Sequence, residues 1–220
     1  MPERRVLGID SNYDGIIGPI FEHRQMYVYP QIQKNGFGLK KLQVSLARRQ
    51  YVAQEAPNPS VKYITGVGHG AYSAYRGDQG ELIFYINPAT LVRNYGPEEV
   101  TGKIVHFVSC GTARNLGVDF VQNGCLAYFG YDDDYAWYPT WCHAFFECDS
   151  EIDRAFAENK TAAEVYQRVK QLHHIWIDRL RVIATLESDN ALGTLKRNLR
   201  RLRSPISGGP MWGRPDAKLT

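Results

Sequence analysis

An imidazole and a thiol, each at the end of an apolar run and each followed by glycine, are the residues of this chain best placed to do chemistry. His69 closes the run Tyr63-Ile64-Thr65-Gly66-Val67-Gly68, with Gly70 after it, and Cys110 closes Ile104-Val105-His106-Phe107-Val108-Ser109, with Gly111 after it. A thiolate attacks a carbonyl carbon, and an imidazole beside it can take up the thiol proton and return it to a leaving amine. The pair is the minimum equipment of a cysteine peptidase. Each member alone has a blander reading, as a structural strand-end histidine or as a buried apolar thiol. Together they are more specific, since 41 positions (110 − 69) leave room for one strand and one crossover between them.

Such a pair meets only if the two runs are neighbouring strands of a parallel sheet, whose C-terminal ends gather along one edge. Apolar, β-branched patterning predicts strands at Val6–Asp10, 61–67, 82–86, 104–109 and 126–131, with a further one at 25–29. Helices are expected over 39–55, 88–95, 112–123 (closed by Gly124), 143–157 and 161–186. Thr161 with Glu164 forms a capping box at the start of the last of these. Strand–helix alternation through the middle gives an α/β fold with a mostly parallel sheet. The expected organisation is one domain over residues 1–201, including the C-terminal helices from about 143, and a loose basic, Pro- and Gly-rich tail over 202–220.

Composition sets the class. At 220 residues with 44% hydrophobic and 22% charged residues, the chain can bury a full core. A net charge of +3 does not by itself imply a nucleic-acid partner. The opening MPERRVLGID lacks the apolar segment of a secretory leader, and no run approaches the length of a bilayer span. The expectation is a soluble, cytoplasmic protein whose four cysteines are free thiols.

Several motifs compete with the pair. Gly66-x-Gly68-x-x-Ala71 matches a dinucleotide fingerprint, but Gly77-Asp78-Gln79-Gly80 interrupts the helix that fingerprint requires, and no acid closes the next strand. Cys142, His143, Cys148, His173 and His174 match no zinc spacing, so no metal is expected. His106, inside its strand, reads as structural. Lys196 to Arg203 is a basic stretch suited to a helix C-terminus, with a nucleic-acid patch or a self-cleavage site as sharper readings.

The segments YITGVGHG, VHFVSCGTARNLG and NGCLAYFGY together resemble the caspase-fold (clan CD) cysteine peptidases, most of all the gingipain and clostripain group and the bacterial CHAT domains. The resemblance covers about residues 61–135. It implies a caspase-like three-layer sandwich, with Cys110 as nucleophile and His69 as its acid/base partner. It further implies an oxyanion hole from the backbone amides of Gly70 and Cys110. The chain lacks a paired-Arg pocket and Q-A-C-x-G, so specificity for Asp is not expected. Metacaspase-like enzymes carry an Asp two residues before the nucleophile, where this chain has Val108.

In that family the loop after the following strand lines the S1 pocket. Asp132, Asp133 and Asp134 lie there, followed by Tyr135, Trp137, Tyr138 and Trp141, and an acid in such a loop selects Lys or Arg at P1. The bland reading of the loop is a solvated acidic turn. Asp10, ending the first strand, is a further candidate to line the pocket or orient His69. The resulting expectation is a cysteine endopeptidase working through a thioester, without a cofactor. Its substrate is a protein or peptide, and its control falls to a regulatory protein partner. Two alternatives remain: a catalytically silent binding or adaptor module on the same fold, and a nucleic-acid-binding protein using the basic stretch.

Overall fold

A computed structural model describes residues 4–219. Its core is a six-stranded sheet in the order β2-β1-β3-β7-β8-β9. The elements run β1 (Arg5–Asp10), α1 (Gly18–His23), a π-helical turn (Arg24–Val28), α2 (Tyr29–Lys34), β2 (Gly38–Gln43), α3 (Arg49–Glu55) and β3 (Val61–Val67). A small antiparallel sheet of β4 (Gly70–Ala71), β5 (Ala74–Arg76) and β6 (Leu82–Tyr85) follows. Then come β7 (Ile104–Val108), α4 (Leu116–Gln122), β8 (Ala127–Tyr131), α5 (Cys142–Ala157), α6 (Ala162–Ile183), α7 (Leu186–Arg201) and β9 (Leu202–Arg203). All pairings in the main sheet are parallel except β8 with β9.

The central strands are buried on both faces, as continuous apolar runs require. On one face Leu7, Ile64, Val105 and Phe107 pack with Val52 of α3, Phe120 of α4 and Phe84 of β6. On the other, Val6, Tyr63 and Phe129 pack with Ile32 of α2, Phe156 of α5 and Val165 of α6. This is the expected three-layer α/β sandwich. The capping box at Thr161 is formed, and Ala184 in the left-handed region (φ 52°) turns the chain from α6 into α7.

Four local expectations are overturned. Residues 25–29 are helical rather than extended, because the chain winds there to bring Arg24 into the interior. Residues 38–43 are an edge strand: Leu39 and Leu42 share a helical spacing, yet they cover opposite faces of the sheet, one in each core. Residues 88–95 form a loop, because the Asn87 side chain accepts the Ala89 amide and Leu91 adopts φ 58°.

The tail is not loose over the described residues either; residue 220 lies outside them. Arg203 and Leu202 pair with Gly130 and Tyr131, and the Trp212 indole donates to the Ala113 carbonyl at 2.9 Å. Ala217 and Leu219 are buried. Its Pro and Gly content conceals these apolar anchors. No helix among the described residues is long and apolar enough to cross a membrane.

Beneath the sheet edge lies a buried ionic cluster. Arg24 pairs with Asp10 (3.1 Å) and Asp153 (2.8 Å), and His106 lies 3.4 Å from Asp153 and 3.5 Å from Asp149. Asp10 also accepts the amide of Val67, the last residue of β3, at 3.1 Å. The cluster thereby fixes the strand end from which the site is built.

Candidate active site

Register places His69 and Cys110 at equivalent backbone positions. Val67 pairs with Val108 across β3 and β7, and His69 and Cys110 each lie two residues further on. The pairing extends past the strands through the Gly68 amide, 3.4 Å from the Val108 carbonyl. A Cβ at Gly70 would sit 2.2 Å from the Cys110 carbonyl oxygen. Glycine is required there for close backbone packing. The glycines of the dinucleotide-like motif have the same explanation, since a Cβ at Gly66 or Gly68 would lie 1.9 Å from the Ile9 or 2.2 Å from the Arg76 carbonyl oxygen.

The turn after Cys110 is held at several points. Gly111 takes φ 71°, a conformation that favours glycine, and its amide donates to the Asp133 carbonyl at 3.0 Å. The Ser109 and Thr112 hydroxyls meet at 2.9 Å, and Tyr128 of β8 donates to Thr112 at 2.8 Å. The Tyr72 carbonyl accepts the amides of Asn115 and Leu116 at the start of α4. No backbone acceptor is bound to the Cys110 amide among the described residues.

His69 is oriented by Asp14, whose Oδ2 lies 2.6 Å from Nε2. The other Asp14 oxygen accepts the amides of Ile16 and Ile17 at 2.9 and 3.0 Å. Burial alone would raise this carboxyl, but the His69 hydrogen bond and the two amides outweigh it and hold Asp14 below its ordinary value. With Nε2 committed to Asp14, Nδ1 is the ring nitrogen left free of that bond. The sequence reading missed Asp14. Its signal is an Asp-Gly pair four residues after the first strand, on the same sheet edge, where an aspartate can cap a turn and still spare one oxygen.

Asp10 does not serve that role. Its side chain is wholly buried, bonded to Arg24, Tyr29, Gln43 and the Val67 amide, and it faces the ionic cluster rather than the cleft.

The acidic loop reaches Cys110 in a specific way. A cleft of 240 Å³ beside Cys110 is lined by Gly70, Ala71, Tyr72, Gly111, Asp133 and Asp134. Asp132 is paired with Arg203 (2.5 Å) and Asp133 with Arg201 (2.7 Å). The Asp134 carboxylate has no cationic partner among the described residues. The pairings also remove Arg201 and Arg203 from any open basic patch. The Cys110 thiol donates to the Tyr135 carbonyl at 3.8 Å, and burial, with Asp134 and Asp133 adding to it, pushes that thiol above its ordinary pKa.

A larger groove of 480 Å³ lies between α5 and α6, walled by Glu147, Glu151, Arg154 and Arg168. It contains no nucleophile, and its acids and arginines are largely paired with one another. Cys148 and His173 are buried in helix packing, with His173 Nδ1 2.8 Å from the Val169 carbonyl, while His143 is exposed. Among the described residues no three metal-ligating side chains converge. The four cysteines are free thiols.

No protein-family model and no curated protein matches this sequence. Solved structures do match its fold. The crystal structure of the Arg-specific cysteine proteinase gingipain R (RgpB) superposes over 98% of this chain and 47% of its own, with TM-score 0.56 and 12% identity. The complex of the Porphyromonas gingivalis RgpB pro- and mature domains does so over 98% and 48%, with TM-score 0.57 and 11% identity. The chain spans about half the length of these neighbours. The fold is therefore the caspase-like one of gingipain R, a cysteine proteinase.

Proposed function

We propose that this chain is a cysteine endopeptidase in which Cys110 attacks a peptide carbonyl and His69, held by Asp14, manages the proton. The observation that carries the reading is the register of β3 and β7, which sets His69 and Cys110 at equivalent positions past one paired edge. His69 accepts the thiol proton as Cys110 Sγ bonds to the carbonyl carbon. The oxyanion is met by the Cys110 amide, with that of Gly70 as the second donor the resemblance implies. Collapse expels the amine, which takes the proton from His69 and leaves a thioester. Water, deprotonated by His69, then releases the acid and restores the thiol. No step calls for a cofactor.

The cleft favours a cationic side chain at P1. Asp134 is an unpaired carboxylate at its wall, while the Tyr72 ring beside it already carries the Arg114 guanidinium 4.2 Å from its centroid, so Asp134 is the group left for a substrate cation. A volume of 240 Å³ suits one side chain rather than a whole ligand. The reading predicts cleavage after Arg or Lys in a panel of fluorogenic peptides, with Asp134→Asn lowering kcat/KM for those substrates about 10- to 100-fold, the scale of a lost charge-assisted hydrogen bond. Equal rates for all P1 residues, or no effect of Asp134→Asn, would remove the pocket assignment.

One observation favours the second reading, a silent binding module: the thiol is held protonated under the Tyr135 carbonyl rather than exposed as a thiolate.

A further inference from the structure

We infer that the end of α7 is a latch that holds loop 132–138 against one side of Cys110, with the Tyr135 carbonyl on the thiol, so that the reactivity of this thiol is set from the far end of the chain. The loop has no regular secondary structure from residue 134 to 138 and is tied down from outside. The Asp132 amide donates to the Arg201 carbonyl at 3.0 Å, and its carboxylate pairs with Arg203. Arg201 pairs with the Asp133 carboxylate and donates to the Asp134 carbonyl at 2.8 Å. Asn198, almost wholly buried, grips Ala136 from both sides, accepting its amide at 3.3 Å and donating to its carbonyl at 2.7 Å. Tyr135 alone in residues 132–136 is left out of this clamp, and its carbonyl rests on the Cys110 thiol.

The closed packing carries a hydrogen-bond deficit. The Tyr135 hydroxyl and the Trp141 indole N–H are buried without a partner among the described residues. Of the two, only Tyr135 belongs to the loop 132–138, and lifting it into water would give its hydroxyl a partner. The loop's aromatic side chains also pack inward, Tyr135 on Tyr131 and Trp137 on Phe146, so the polar clamp from α7 and this packing together hold the segment in place. The inference rests on the peptidase reading only for its consequence, since the latch itself concerns the reactivity of a thiol.

Iodoacetamide alkylation of the full, reduced chain reads that reactivity without any catalysis, followed cysteine by cysteine by peptide mass spectrometry. Arg201→Gln and Asn198→Ala are expected to raise the Cys110 rate at least tenfold and to open loop 135–141 to chymotrypsin. Arg201→Lys should fall between them and wild type. Removing the Arg201 cation alone would make the thiol less acidic and slow its alkylation, so acceleration reports opening. Cys125, buried behind β8, monitors the whole fold and should stay unlabelled. An unchanged Cys110 rate in both variants, or Cys110 and Cys125 accelerating together, would overturn the latch. A chain that cleaves no peptide yet shows selective Cys110 acceleration keeps the latch and loses the peptidase.

Discussion

Asp153→Ala is expected to cost about 3–5 kcal/mol of folding stability, the range for removing one partner of a buried ion pair. The Asp153 carboxylate is completely buried and accepts from Arg24 (2.8 Å), Tyr63 (2.8 Å) and Thr65 (2.6 Å), with His106 3.4 Å away. Its loss takes one of two carboxylates from each of two buried cations, leaving Arg24 with Asp10 and His106 with Asp149, and removes the acceptor of two buried hydroxyls. The exposed pair Arg181–Asp178 offers the contrast, where Asp178→Ala should cost about 0–1 kcal/mol. Urea unfolding of the two variants measures both, and a cost below about 1 kcal/mol for Asp153→Ala would mean the cluster does not hold the sheet edge. Since domains are stable by only about 5–15 kcal/mol, the variant should also loosen the β3 end that carries His69.

The same cluster sets a pH dependence. Burial alone would lower the His106 pKa, but Asp149 and Asp153 hold it up at about 9. A raised histidine contributes stability in full below its unfolded value of about 6.5 and loses it as pH climbs to about 9. His23 and His173 behave oppositely, since burial lowers each to about 4. Their contribution is complete above about 6.5 and lost as pH falls toward 4. For Asp153, burial by itself would raise the carboxyl, yet Arg24 and then His106 hold it well below the usual range, so its contribution is lost only at still lower pH. Stability should therefore peak near pH 6.5 and decline on both sides, and Asp153→Ala should flatten the alkaline limb.

The second large effect concerns turnover. His69→Ala should lower kcat/KM by on the order of 10²–10⁴, the usual contribution of a positioned acid/base group. The loss should appear in kcat, because the proposed mechanism has the imidazole act on the thiol and leaving amine and gives the Asp134 cleft the binding of the substrate side chain. A His69→Ala variant that keeps its rate and changes only KM would assign the histidine to binding and leave Cys110 without a base.

How much of this was legible in the sequence depended on the range of the interaction involved. β3, β7 and β8 were readable because strands buried on both faces must be continuous apolar runs, and His69 and Cys110 stood out at their ends. The edge strand β2 was not, because Leu39 and Leu42 serve two different cores and their three-residue spacing mimics a helix face. Asp14 and His69 are 55 positions apart, and only the parallel sheet brings them together. The acidic loop was recognised, but not the pairing that divides its members: Arg201 and Arg203, some 70 positions on, neutralise two aspartates and leave Asp134. The same pairings explain why a basic, Pro-rich tail packs instead of trailing.

The most direct test of the account is intact-mass labelling with a peptidyl-Arg and a peptidyl-Asp acyloxymethyl ketone, on the wild-type chain and on Cys110→Ala. The account predicts one adduct, formed with the Arg probe only and absent from Cys110→Ala. No adduct with either probe, in wild type and in the Arg201→Gln variant whose loop is released, would contradict it and leave a silent module on a peptidase fold.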